Sequence, residues 1–471
     1  MFRFAPLTRR ITTLKPLLPL SSSSFHTTTA AAAAAAAAMA LTQSQIDIVK
    51  STAAILKDQG DRITRIFYVN MLTAHPELKN YFSLRNQATG AQQAALGASV
   101  LAYASYIDDL PRLTSAVERI AHKHASLFVR PEQYAIVGEH LVGAFAEVLG
   151  DALTPEVADA WKAAYAQLAD VFIGRERQLY EEPGAWQDWR DFVIAKKENV
   201  SEGVVSFYLK PADGKPLPPF LPGQYVSVQI PIRELGGLLQ SRQYSLSAGP
   251  PGPSGAECYR VTIKQEPNTA GADPSDVKDL AAGSIAGIVG NRLHAEYQVG
   301  DAVQLSSPRG EFVFDAAKIS PDAHVVLLSA GVGATPLLSM LDAIRGANSI
   351  NGNVAAAPRP VTWAHSARHA NAVCYGEHIR QASADANANV TAKVFLSNVA
   401  ETDKHGHDYD YKGRFDVSKL VADNVLPLEK PDAEYFLCGP KDWMMQVRDE
   451  LKGNGVNSDN IHLELFSTGD V

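Results

Sequence analysis

The stretch ERIAHKHAS, residues 118–126, sets two histidines two places apart. An imidazole held neutral in an interior can ligate iron through one ring nitrogen, whereas one turned to water has no such role. Helical phase separates the pair. With Val117, Ile120 and Leu127 marking an inward stripe, His124 falls on that stripe four positions after Ile120, and His122 falls round toward solvent. A second chemical group lies in GRERQ, where Glu176 falls within the stripe of Tyr165, Leu168, Phe172 and Leu179 while Arg177 points away. A carboxylate at such a place needs a donor, because an unpaired buried charge is costly.

Three further motifs bear on bound nucleotides. RQYSL, residues 242–246, follows PGQYVSV at the spacing of two neighbouring strands. Arg242 can neutralise a pyrophosphate, Tyr225 and Tyr244 can pack on a planar ring, and Ser245 supplies a hydroxyl. GVGATP, residues 331–336, follows the apolar run HVVLLSA and precedes an apolar helix. Its glycines permit a tight turn and close backbone approach, and the helix N-terminus attracts phosphate, although the stretch is not the GxGxxG fingerprint. CGP, residues 438–440, comes just after EYFLC and so projects from the same carboxyl edge.

These groups need elements to hold them. The chain has 471 residues, too many for one ordinary core, with 46% apolar and 20% charged residues. From Thr42 to about Tyr180 apolar residues recur at three and four positions, which predicts an all-α domain over 40–181. EEPGAWQDWR is a hinge. Alternating and β-branched segments broken by turns such as KPLPPFLPG predict an antiparallel β-barrel over 187–318. Strands then alternate with helices, predicting a parallel α/β sheet over 322–471.

The net charge of −8 argues against a general nucleic-acid binder, and no apolar run after the N-terminus is long enough to span a membrane. Cys258, Cys374 and Cys438 are too scattered for a disulfide framework or a thiolate metal site, which suits a reducing compartment. Residues 1–39 carry Arg3, Arg9, Arg10 and Lys15, many hydroxyl residues and no acid, the composition of a mitochondrial presequence. Met39 is a second possible start, so mitochondrial matrix, cytosol or both are expected.

In order and spacing, RxYS, GxGxTP and CGP resemble the ferredoxin–NADP reductase family. That resemblance implies that Tyr225, Arg242, Gln243, Tyr244 and Ser245 hold FAD. It implies further that Gly331, Val332, Gly333, Ala334, Thr335 and Pro336 hold NADH or NADPH, with Cys438, Gly439 and Pro440 near the hydride path. The usual GxVS element reads GIVGN, with Gly290 in place of serine, which leaves Val289 and Asn291 as FAD contacts in doubt.

Nearly the whole chain after residue 40 resembles the flavohaemoglobins, through IFYVNML, YFSLRNQ, QQAALG, KH and PEQYAIVGEHL. By that resemblance His124 is the proximal ligand of haem b, Phe82 wedges the haem, and Tyr68, Gln92 and Leu96 form the distal pocket. Tyr134, Glu176 and His124 form a relay, and Lys123 lies at the haem–flavin contact. Glu464, Leu465 and Phe466 stand where the family ends its flavin site, though its FGP reads FST here. The implied activity is nitric oxide dioxygenation, consuming O2 and NAD(P)H and forming nitrate. A haem-based oxygen or redox sensor, and a reductase for another acceptor, stay open as alternatives. The expected partners are small molecules alone, and the expected state is a monomer.

Overall fold

The computed structural model describes residues 41–466 apart from 183, 251–256, 269–272, 274–275, 283–284 and 351–358. The presequence reading of 1–39 and the two residues of FST after Phe466 lie outside this range.

The first domain is helical. Helix α1 (Gln43–Ala74) opens on a capping box, with the Thr42 hydroxyl accepting from Gln45 N–H and the Gln45 side chain returning to Thr42 N–H. It buries Val49, Leu56, Ile63, Phe67, Tyr68 and Met71 on one face. After the short α2 (Leu84–Thr89) come α3 (Ala91–Ser105), α4 (Thr114–Ser126), α5 (Pro131–Leu149) and α6 (Pro155–Tyr180). Helix α6 starts as its sequence dictates, with Thr154 capping and Pro155 in the first turn. Trp161 anchors α6 to α1 by donating to the Thr52 hydroxyl at 3.0 Å, and Phe145 meets it edge-on. Helix α4 packs on α6 through Ala121 and Ala125, whose small side chains let the helices approach closely under Phe172 and Leu179.

The second domain is a six-stranded antiparallel sheet. Its strands are β1 (Arg190–Ser201), β2 (Val204–Pro211), β3 (Tyr225–Ile232), β4 (Leu238–Ser245), β5 (Tyr259–Lys264) and β6 (Ala302–Leu305), in the order β4-β3-β6-β1-β2-β5. Strand alternation sends Val226, Val228, Ile230 and Ile232 into the barrel core with Phe192, Ile194, Val261 and Ile263. Helices α7 (Val277–Ala282) and α8 (Ile288–Ala295) precede β6.

The third domain is a six-stranded parallel sheet ordered β10-β9-β8-β7-β11-β12. These are β7 (Val325–Ala330), β8 (Val361–Ala367), β9 (Val390–Leu396), β10 (Tyr411–Lys412), β11 (Glu434–Cys438) and β12 (Ile461–Glu464). Helices α9 (Ala334–Ile350), α10 (Gly376–Ala384), α11 (Val417–Ala422) and α12 (Lys441–Gly453) connect them. Both faces of β7 are covered: Val325 and Leu327 enter one apolar cluster, and Val326 and Leu328 enter another. This explains its unbroken apolar sequence. Among the described residues no helix is long and apolar enough to cross a membrane.

Candidate functional site: a histidine relay beside a nucleotide cleft

Helix α4 presents His124 to α5 and α6. The Glu176 Oε1 atom lies 2.8 Å from His124 Nδ1, and the Tyr134 hydroxyl lies 2.9 Å from the same nitrogen while donating to Glu176 Oε1 at 2.5 Å. Glu176 is 2% exposed, so these donors are what make a carboxylate tolerable there. Burial first, and then the Glu176 charge, hold the Tyr134 phenol far above its usual range, so it stays a donor. Tyr134 is fixed in turn, its carbonyl accepting from the Tyr165 hydroxyl at 2.6 Å and its ring stacking on Phe172. A carboxylate at Nδ1 selects the tautomer with the proton on that nitrogen and leaves the Nε2 lone pair as a metal ligand.

Although flanked by fully buried Ala121 and Ala125, the His124 side chain is 33% exposed. Its ring is therefore accessible rather than enclosed. Tyr68, buried on α1, meets Phe82 edge-on at 5.4 Å and hydrogen-bonds the Gln92 side chain. Leu96 is half-buried on α3 against the same core. A lone imidazole is a poor site for a bare ion and a good one for iron that brings its own macrocycle. Tyr68, Gln92 and Phe82 form a polar and aromatic group of their own in the same domain.

His122 corrects the sequence reading. It is 7% exposed, not turned to solvent, and its Nδ1 accepts from Gly310 N–H of the second domain at 2.9 Å. Helical phase separates an inward from an outward face only where a helix has one partner, and α4 has two. Its other side also brings Arg119 to Glu311 at 3.3 Å and Ser126 to the Ser227 hydroxyl at 2.9 Å. Gly310 has φ +122°, and a Cβ there would sit 3.1 Å from the Tyr225 ring, so close packing of loop on ring requires glycine. Burial, then Arg175 and Arg309, push the His122 imidazole down to about 4.

Around Tyr225 the register of β3 on β4 pairs Tyr225 with Ser245, Ser227 with Gln243 and Val226 with Tyr244. Gln243 donates to the Ser227 hydroxyl at 3.2 Å. Lys123 is half-buried, and burial followed by the nearby Arg242 charge pushes its ammonium down to about 8. Two cations thus share one partly dry place, as an anionic ligand would require.

The glycine turn is also built for close approach. A Cβ on Gly333 would sit 2.1 Å from the Cys438 carbonyl oxygen, so GVG and CGP touch backbone to backbone. Gly331 has φ +55°, and the Thr335 hydroxyl donates to the Val332 carbonyl, which braces the start of α9. Ala334 and Pro336 are buried beneath the turn, while Val332 and Gly439 are half-buried and Pro440 is exposed at its rim. In register across the sheet stand Glu464, Cys438, Ser329 and His365. Burial and the Glu464 charge hold the Cys438 thiol well above its usual range. Burial, then Glu311, raise Glu464 likewise, with Arg119 opposing in part.

The chain matches the globin family model over residues 65–172 and the oxidoreductase NAD-binding domain model over residues 327–449. A flavohemoprotein of Bordetella pertussis is 44% identical over 428 residues, spanning 90% of this chain and 98% of that one. Those of Rhizobium meliloti and Bacillus subtilis are 41% and 36% identical, each over 90% of this chain and 98% and 97% of their own. The chain belongs to the flavohaemoprotein family. A flavohemoglobin of Malassezia yamatoensis, solved with bound FAD and heme, superposes with a TM-score of 0.74 at 28% identity, over 91% of this chain and all of that one.

For Val289 and Asn291, which the resemblance offers as FAD contacts, the structure shows what their side chains do. Val289 is fully buried in the barrel core, so only its backbone is available to a cofactor. Asn291 spends its side chain on a loop, accepting from Glu266 N–H at 2.9 Å and donating to the carbonyls of Glu266 at 2.7 Å and Ala286 at 3.1 Å. A Cβ on Gly290 would sit 3.3 Å from the Tyr244 hydroxyl and 3.2 Å from Ile263. Serine there would crowd Tyr244, a physical reason for glycine in this chain. Leu465 packs on the third domain, and Phe466 is 52% exposed.

Sequence reasoning missed Arg309 and His365. Arg309 is 2% exposed and reaches Glu182 of the hinge at 3.2 Å, and nothing in SPRGEF separates it from a surface arginine. His365 is 1% exposed with Nδ1 2.8 Å from the Ser329 hydroxyl, and its strand HSA carried the only signal, a polar residue in a buried run.

Gly333→Ala is expected to push GVG off CGP and raise the KM for NADH by about tenfold or more, the cost of a backbone shift at a contact point, while haem and FAD content stay normal. Steady-state dye reduction against NADH concentration measures it. His122 has a folded pKa of about 4, below the unfolded value near 6.5. Its contribution is therefore complete above pH 6.5 and is lost as pH falls toward 4, by on the order of 3 kcal/mol. Denaturant unfolding across that window should show a steeper acid loss for the native chain than for His122→Asn.

Proposed function

We propose that this flavohaemoprotein is a nitric oxide dioxygenase that uses NAD(P)H and O2 to convert nitric oxide to nitrate. The observation that carries the reading is the Glu176–Tyr134–His124 relay, built on the buried Glu176 carboxylate, in the same chain as a nucleotide-binding reductase. When bound, haem b supplies oxygen binding and one-electron chemistry, and FAD accepts the hydride of NAD(P)H and releases electrons singly.

The residues divide the remaining tasks. Glu176 and Tyr134 hold the proton on His124 Nδ1, which makes Nε2 a strong electron donor and favours activation of oxygen over reversible storage. Tyr68 and Gln92 orient a polar diatomic ligand on the opposite side. Arg242 and Lys123 meet anionic cofactor groups, with Tyr225, Gln243, Tyr244 and Ser245 seating the flavin. Residues 331–336 and 438–440 seat the nicotinamide nucleotide. Glu464, raised in pKa, keeps a proton beside the flavin site, and the thiol of Cys438 next to it stays neutral. The composition of residues 1–39 supports import into mitochondria, with cytosolic protein arising from a start at Met39.

Purified protein reduced anaerobically with NADH should show the haem spectrum change, and nitric oxide then added in air should disappear well above the uncatalysed rate. Haem reduction without that acceleration would favour the sensor or alternative-acceptor readings. His124→Ala should lose haem yet keep FAD and NADH-dependent dye reduction. Residues 1–39 fused to a fluorescent protein should carry it into mitochondria, and diffuse fluorescence would reject the presequence.

A further inference from the structure

Gln240 lies fully buried on β4 and directs its amide largely to the helical domain. Its Nε2 donates to the Phe82 carbonyl at 3.2 Å, the Lys79 carbonyl at 3.4 Å and the Leu239 carbonyl at 2.9 Å, while its Oε1 accepts from Leu84 N–H at 3.1 Å. The contact is reciprocal, because Asn80 Oδ1 accepts from Leu239 N–H at 2.8 Å. Two residues along β4, Arg242 donates to the Ser83 hydroxyl at 2.9 Å, and the Leu84 side chain packs on the barrel core. Lys79, Asn80, Phe82, Ser83 and Leu84 are thus all tied to the second domain.

The tied segment is one that could not hold itself. It runs from a short 3-10 helix at Pro76–Asn80 through a turn into α2, which has only six residues, so neither element brings much helical stability of its own. Yet it carries Phe82, whose ring sets the edge-on contact with Tyr68 at 5.4 Å, and Tyr68 in turn meets Gln92. A buried amide that lost these partners would leave donors and acceptors unpaired, so the arrangement has one low-energy register. We propose that Gln240 is a positioning residue for the oxygen-side haem pocket: the reductase barrel, through one strand, sets where Phe82 stands. The FAD domain therefore shapes the haem's ligand side as well as supplying its electrons. This inference rests on the reading that haem binds beside His124.

The test uses the full-length, cofactor-loaded chain with Gln240→Leu, which keeps the volume and deletes the bonds, and with Asn80→Ala, which cuts the contact from the other side. Hydrogen exchange needs no haem and reads the clamp directly: Leu84 amide protection should fall about tenfold, the loss of roughly one net hydrogen bond. In the carbon monoxide complex the C–O stretching band should shift or split, and O2 should dissociate faster, while NADH-dependent dye reduction is unchanged. Unchanged Leu84 exchange and an unchanged C–O band in both variants, at normal haem and FAD content, would overturn the proposal. So would loss of dye reduction with faster exchange across the whole barrel, since Gln240 would then serve barrel folding. Failure of the unaltered chain to bind haem would instead defeat the haem reading beneath it.

Discussion

Everything in the helical domain is arranged around one buried carboxylate. Glu176 sits where water cannot reach it, and the Tyr134 hydroxyl and His124 Nδ1 are the donors that compensate for lost hydration. Satisfying it fixes the positions of three helices at once. Helix α6 supplies the acid, α5 supplies Tyr134, and α4 must approach closely enough for His124 to complete the set, which is why its inner face is Ala121 and Ala125. A bulkier α4 would hold the imidazole away. The relay thereby decides both the packing and the tautomer that makes Nε2 a ligand.

The same helix has a second constraint on its far side. Arg119, His122 and Ser126 engage Glu311, Gly310 and Ser227, so the helix that carries His124 also docks the second domain. The His122–Gly310 and Ser126–Ser227 contacts are polar and buried, and their worth lies mainly in specifying one orientation, since mispairing would strand donors and acceptors. Helix α4 is thereby held from both sides, by the Glu176 relay on one and by the second domain on the other.

How much of this the sequence made legible follows from where each constraint resides. Helix periodicity, the Thr154 cap and the alternation of β3 are local, and the segments fold as local physics directs. Glu176 was legible because a charge in an apolar stripe is itself a signal. His122 was not, since phase reveals the direction of a side chain but not whether water or another domain waits there. The side-chain environments of Val289 and Asn291 were hidden for a related cause: a motif match carries positions, whereas their burial and loop bonding depend on neighbours from residues 263 to 268 and 286. Gln240 and Arg309 gave no sign, because each finds its partners far along the chain.

Gly290 shows how a departure from a family pattern can be internally consistent. With a hydroxyl missing, the expectation would be a weaker cofactor seat. Yet the position is crowded, with Tyr244 and Ile263 both inside the distance that a Cβ would need. Helix α8 starts one residue after Gly287, which adopts the left-handed conformation at its cap, so backbone N–H groups are already presented there. Anion binding at such a place draws on those N–H groups and on Arg242 rather than on any one hydroxyl. The glycine gives up a side-chain donor and leaves room around Tyr244, with the backbone N–H groups at the start of α8 unaffected by the exchange.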